Sequence, residues 1–209
     1  MATVRLEENL KLESGWLCLD FANTADWHAS EHPIEGLTSY GALIAWARSI
    51  NLLPDRTAQQ LLRAADQHPP EAARVLDRTV ALREAIYHIF AAVAKGKSPS
   101  ADDQATLNAE LSRSLAKSRL VWNKALFEWD WQNEDGDLDQ MLWWIVRSAT
   151  DLLTSEGIKR VGECADDRGC GWLFYDTSRN RTRQWCSMRG CGNRAKAKRH
   201  YEKERVARA

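Results

Sequence analysis

The sequence predicts an α+β protein: a mainly helical N-terminal domain with a small antiparallel sheet, followed by a small cysteine-bearing module. Three observations carry this. Five stretches between Ser39 and Ser155 repeat apolar residues at helical spacing. One stretch, Arg119 to Trp131, alternates with the period of two expected of a half-buried strand. Four of the five cysteines fall late in the chain as two pairs, Cys164-x5-Cys170 and Cys186-x4-Cys191, with 15 residues between the pairs.

Composition sets the frame. The chain has 209 residues, 44% of them hydrophobic, enough for one medium domain and a small appendage. Its formal net charge of zero conceals a division: residues 1–158 carry 15 Lys+Arg against 23 Asp+Glu, and residues 159–209 carry 14 against 6. Halves of opposite sign suggest a polyanion-binding tail on an acidic body. No run approaches the roughly 18 to 20 apolar residues of a membrane helix, so no membrane partner is expected. The start, MATVRLEENLKLE, lacks the layout of a secretory signal, which predicts a cytoplasmic protein. In a reducing compartment, clustered cysteines bind metal more often than they form disulfides. Ten tryptophans are many for this length.

Taken in order, Val4 to Leu6 and Leu10 to Leu12 are short alternating runs, and Trp16 to Phe21 (WLCLDF) reads as a nearly continuous apolar strand. Asp20 and Asn23 either hydrogen-bond locally, closing the strand or a turn, or line a pocket. Cys18 reads as a small buried hydrophobe. His28 and His32 flank a loop ending in Pro33 and are expected to be solvated. Thr38 is placed as the cap of a helix over Ser39 to Asn51, with Leu43, Trp46, Ala47 and Ile50 at helical spacing. A second helix starts at Asp55 or Thr57 and runs to about Gln67, where Pro69-Pro70 stops it. The longest pattern, Glu71 to Lys95, keeps Val75, Leu82, Ile86, Ile89, Phe90 and Val93 on one face and ends at Gly96. Ser100 with Asp103 marks the start of a helix to about Lys117.

From Arg119 a hairpin is expected, Val121-Trp122 pairing back across Asn123-Lys124, with Phe127, Trp129 and Trp131 together on one face as core. After an acidic turn, Asn133 to Asp137, a helix from Leu138 to Ser155 carries Leu138, Met141, Leu142, Ile145, Ala149, Leu152 and Leu153 as a stripe. Trp144 lies off that stripe and is free to touch another element, the second domain or a ligand. Gly157 ends the helix, and the charge changes sign there, so the domains are placed at 1–157 and 158–209.

The cysteine pairs have the character of a structural zinc site. Four thiolates at two short spacings complete a tetrahedron and leave no position for water, so one zinc ion would be structural. Gly169 suits a tight turn before Cys170. Trp172 to Tyr175 reads as a strand, Asp176 to Arg181 as a hairpin turn, and Thr182 to Trp185 as the returning strand. Cys191 then opens the final helix, Gly192 to about Arg208. A knuckle, a hairpin and a helix donating the last ligand is a treble-clef-like zinc finger, with Trp172, Phe174 and Trp185 as its small core.

The stretch WLFYDTSRNRTRQWCSMRGCGNRAKAKRHY resembles the CGNR zinc finger, named for the tetrapeptide standing here as Cys191-Gly192-Asn193-Arg194. The earlier stretch WLCLDFANTADW resembles the opening of the ABATE domain that precedes that finger in bacterial proteins. The resemblance implies a bacterial transcriptional regulator with a stress role, whose finger contacts DNA and whose N-terminal domain senses a ligand.

Electrostatics gives an independent reason to expect a nucleic-acid surface. Arg179, Arg181 and Arg183 alternate along the hairpin turn and returning segment, while Arg194, Lys196, Lys198, Arg199 and Lys203 load two adjoining helix faces. Phosphate rewards such a surface through counterion release, and Asn193 has the donor and acceptor to pair with adenine. DNA is the expected partner; an RNA-binding or ribosome-associated zinc module is the alternative. An enzyme with an N-terminal pocket at Asp20 and Asn23 is the third reading, but no nucleophile–base pair, phosphate loop or open metal site accompanies it, so the chain is read as not an enzyme. A single finger covers only about 600 to 1,000 Å², which leaves a homodimer open.

Overall fold

The computed structural model describes residues 10–132 and 136–207. Val4 to Leu6, and Asn133 to Asp135 of the acidic turn, lie outside the described residues. The elements are α1 (Leu17–Ala22), β1 (Ala25–Asp26), β2 (Ile34–Glu35), α2 (Tyr40–Ser49), α3 (Asp55–Gln67), α4 (Pro69–Ala94), α5 (Ala101–Lys117), β3 (Ser118–Asn123), β4 (Leu126–Trp131), α6 (Gln140–Leu153), a 3₁₀ turn (Glu156–Arg160), β5 (Val161–Glu163), β6 (Leu173–Tyr175), a π turn (Met188–Gly192) and α7 (Asn193–Ala207). The strands pair consecutively into small antiparallel sheets: β1 with β2, β3 with β4, β5 with β6.

The expected strand WLCLDF is instead the helix α1, and all six of its residues are buried. It packs against α4, α6 and β6, so it is enclosed on several sides and needs no polar face. A short apolar run without periodicity serves either a buried strand or a buried helix, and here the enclosure decides. Cys18 is fully buried, and burial pushes its thiol up to about 12. Asp20 accepts hydrogen bonds from the backbone of Glu13 and Ser14 and from Ser14 Oγ at 3.0 Å. It therefore gathers the segment leading into the helix.

The longer helices form where the periodicity places them. The cap of α2 is Ser39 and not Thr38, because Ser39 Oγ accepts from the Ala42 N–H at 3.0 Å. Ser100 caps α5 in the same way through Asp103. Pro69 and Pro70 stand in the first turn of α4, where a missing N–H costs nothing. Leu138, Met141, Leu142, Ile145, Ala149 and Leu152 of the α6 stripe are buried in one core with α1, α2 and α4. Trp144, off that stripe, packs its ring 4.0 Å from that of Trp131.

The β3–β4 hairpin turns at Lys124-Ala125, with Lys124 at φ 56. Its aromatic stripe is only partly core: Trp131 is 7% exposed but Phe127 is 63% exposed. The helices cover the base of the hairpin and stop short of its tip.

The cysteine-bearing module is continuous with this core. Val161 of β5 and Leu173 of β6 belong to the same buried cluster as α1 and α4. Asn23 acts as a further strand partner, donating to the Leu173 carbonyl at 2.9 Å and accepting from its N–H at 2.8 Å. The expected returning strand Thr182–Trp185 does not form. β6 pairs with β5 on the other side of the first cysteine pair, Glu163 opposite Leu173, so the knuckle itself is the hairpin turn. Segment 182–185 is held through Arg183 and by a single backbone bond, Ala165 N–H to the Gln184 carbonyl at 2.9 Å.

Candidate metal centre

Cys164 follows β5 directly, and its N–H bonds to the Trp172 carbonyl at 2.9 Å, closing the knuckle. Gly169 and Gly171 both have positive φ, +87° and +66°. A Cβ on Gly169 would stand 2.6 Å from Ser30 Cα, and one on Gly171 would stand 2.7 Å from the Ala29 nitrogen. Glycine is required twice over, by conformation and by the close approach of the N-terminal loop. Cys186, just before the π turn, and Cys191, within it, close the site ahead of α7.

The four Sγ atoms lie within 4.8 Å of one another. Cys170–Cys186 is 3.8 Å and Cys186–Cys191 is 3.5 Å. A disulfide needs about 2.05 Å, so these sulfurs are unbonded. Zinc–thiolate bonds of about 2.3 Å in a tetrahedron set sulfurs about 3.8 Å apart, which this cluster matches. Cys164, Cys170 and Cys191 are 6, 7 and 3% exposed. Hydrogen bonding to its neighbours Cys170 and Cys186 lowers the Cys164 thiol, whereas its contacts with Cys164 and Cys170 raise Cys186, and burial pushes Cys191 up to about 12. Four crowded thiols ionise together only around a cation, and an all-sulfur set suits zinc.

The surroundings of the sulfurs are specific. Arg194 donates to Cys191 Sγ at 2.8 Å and forks onto Asp166 Oδ2 at 2.9 and 3.1 Å. The Asp166 side chain is 3% exposed and also accepts from the Arg168 N–H at 3.0 Å. Burial opposes its ionisation, but these donors hold its carboxyl well below the usual range. Lys198 pairs with Asp167 at the surface. Arg183 is half-buried: it donates to the carbonyls of Trp185 and Cys186 and lies 4.3 Å over the Phe174 ring. Arg183 thus supports the segment carrying Cys186, while Arg179, Arg181, Asn193, Lys196, Arg199 and Lys203 are exposed.

The segment between β1 and β2 reaches this centre through Trp27. Trp27, at φ 53, packs against the cysteine cluster, with the guanidinium groups of Arg168 and Arg194 5.1 and 5.5 Å from its ring centroid. His28 is not solvated as expected. Its side chain is 7% exposed, stacks on Tyr87 at 3.6 Å and bonds to Glu84 at 2.9 Å. Nothing in the local sequence marks it, because its partners lie on α4. Arg83, 3% exposed, bridges Glu84 to Glu35 and fastens the loop from below.

Burial opposes ionisation of Glu84, but His28 and Arg83 hold it down to about 2 from 4.5. A depressed carboxylate contributes stability above its unfolded pKa and loses it as pH falls through the folded value. With its side chain 36% exposed, solvent screening reduces the contribution to about 1–2 kcal/mol. Urea denaturation of Glu84→Gln should show that deficit at pH 7, closing between about pH 4.5 and 2. A constant deficit down to pH 2 contradicts the assignment.

Asp20 and Asn23 meet at Ser14 Oγ, which donates to the first and accepts from the second, while Trp144 lies elsewhere. The first two bond to Glu13, Ser14 and Leu173, and the third packs on Trp131. The acids opposite the basic helix stand in CADDRGC, where Asp166 and Asp167 answer Arg194 and Lys198, which are four residues apart.

Comparison with known families places both halves. A family model described as "Putative stress-induced transcription regulator" (ABATE) matches residues 15–156, and the CGNR zinc finger matches residues 160–204. No curated protein matches the chain. With the finger matched, the four cysteines are one structural zinc site.

Proposed function

Because the chain belongs to the ABATE family and carries a CGNR zinc finger, we propose that it is a DNA-binding transcriptional regulator, with residues 158–209 as the binding module and residues 1–157 as its sensor. The observation carrying this reading is a set of exposed cations on a zinc-anchored frame: Arg179, Arg181, Lys196, Arg199 and Lys203 make no ion pair among the described residues. Lys196, Arg199 and Lys203 share one side of α7 by their i, i+3, i+7 spacing. Arg183 and Arg194, engaged within the finger, and Lys198, paired with Asp167 at its surface, contribute position and field more than contact. Asn193, exposed at the start of α7, is the base-reading candidate. Asp20 and Asn23, already bonded, are assigned to the frame and not to an effector. Both matched families are regulatory or zinc-finger types, and among the described residues no helix is long and apolar enough to cross a membrane.

Fluorescence anisotropy against duplex DNA tests this. Each lost phosphate contact lowers the slope of log K against log salt by about 0.9, so Lys196→Glu, Arg199→Glu and Lys203→Glu together should flatten it by about 2.7 or more and abolish measurable binding at physiological salt. Zinc content should not change. Binding that survives the triple change refutes the surface.

One feature favours a second reading. A groove of about 640 Å³ between knuckle and α7 is lined by Trp185, Arg199 and Tyr201 among others, and Tyr201 is 69% exposed. Aromatic and guanidinium planes of this kind stack on unpaired bases. Preference for single-stranded RNA over duplex DNA in direct competition would select it.

A further inference from the structure

Among the described residues, five of the nine exposed large apolar side chains belong to the β3–β4 hairpin: Leu120, Val121, Trp122, Leu126 and Phe127. That concentration needs an occupant. The pairing register places Leu120 and Trp122 on the same face as Phe127, Trp129 and Trp131. This face is buried at its base, by Trp144 against Trp131, and open at its tip, where Trp122 and Phe127 meet edge-on at 5.2 Å. The opposite face carries the pairs Arg119–Asp130 at 2.7 Å and Asn123–Glu128 at 3.0 Å beside the exposed Val121 and Leu126.

A two-stranded sheet has an unpaired outer edge on each strand. Charge distinguishes the two. A two-fold pairing through the middle of β4, centred on Glu128 or Trp129, sets Glu128 against itself or against Asp130, opposing carboxylates. A two-fold pairing through β3, centred on Val121, sets Leu120 opposite Trp122 and Arg119 opposite Asn123, with no like charges opposed. The backbone agrees. Gln132 N–H bonds to the Lys117 carbonyl at 2.8 Å, so alternation assigns the odd-numbered β3 residues to β4. The N–H and C=O groups of Leu120 and Trp122 are left for the open edge.

We propose that β3 is a dimerisation edge: a second copy of this chain pairs its β3 antiparallel to the first about a two-fold axis at Val121, giving a four-stranded sheet. Leu120 and Trp122 then pack on their counterparts across the axis, and one apolar face runs over all four strands. The edge is complementary to itself in register, charge and apolarity, which is the requirement of an isologous interface. Joining β3 of one copy to β4 of the next would propagate without closing, and no closed dimer would result.

Sedimentation of the zinc-loaded full chain in the micromolar range tests this without reference to nucleic acid. The wild type should be a dimer, Trp122→Lys should halve the mass, and Glu128→Lys should leave it unchanged. Val121→Cys should cross-link into a covalent dimer under mild oxidation, because directly opposed non-hydrogen-bonded residues lie about 4.5 Å apart at Cα; Glu128→Cys should not. Retained zinc in each variant reports an intact fold. A monomeric wild type, a dimer that survives Trp122→Lys, concentration-dependent growth beyond the dimer, or cross-linking through Glu128→Cys each overturns the proposal.

Discussion

Removal of zinc with a strong chelator is expected to unfold residues 161–207 and to loosen the helical core as well. Zinc supplies about 10–16 kcal/mol to small finger peptides, while a whole domain is stable by about 5–15 kcal/mol. The finger has little else: its cysteines pack against Trp27, Trp172 and Trp185, and α7 presents mostly charged residues to solvent. The loss should spread because Val161 and Leu173 sit in the main core and Asn23 bonds both polar backbone atoms of Leu173. Hydrogen exchange should show α7 amides losing protection first and α1 following, and Cys170→Ser or Cys191→Ser should reproduce the effect. Cys18→Ala, outside the cluster, should retain zinc. Protection of α7 that is unchanged after chelation would rule out a structural ion.

Arg194→Ala should weaken zinc retention by about 10- to 100-fold, the usual range for a residue that orients a metal ligand. Its guanidinium holds Cys191 Sγ and the buried Asp166 carboxylate together and packs over Trp27. Truncation leaves Asp166 with the Arg168 contacts alone and one thiolate without its cationic neighbour. Lys in its place supplies charge without the planar fork, so Arg194→Lys should recover only part of the affinity. Lys198→Ala is the contrast. Its pair with Asp167 is exposed on both sides, and zinc affinity should not change. Competition with a chromophoric chelator measures all three. Equal zinc affinity in wild type and Arg194→Ala would return Arg194 to the surface.

The zinc ligands were legible because a tetrahedral thiolate site demands four Cys in two short-range pairs, and that demand is written in spacing. Helices α2 to α6 were legible because each has a wet side, so its apolar residues recur at 3.6. α1 was not, since a helix enclosed by α4, α6 and β6 has no polar side to display a period. The β5–β6 pairing escaped for a different reason. Strand Val161–Glu163 is three residues long, and the strand-like segment 182–185 offered a competing partner. The aromatic stripe of β4 reads as core throughout, but burial depends on how far the helices extend, which leaves Phe127 and Trp122 bare.

Charge shows the division most plainly. Composition and local spacing suffice to make the cysteine module basic, to gather four thiols at one centre and to make the body helical. Only folding sets which cations are spent inside the finger and which face outward, buries His28 on Tyr87 and brings Trp27 against the metal centre. Those contacts join residues far apart in sequence, through side chains whose partners only folding brings within reach.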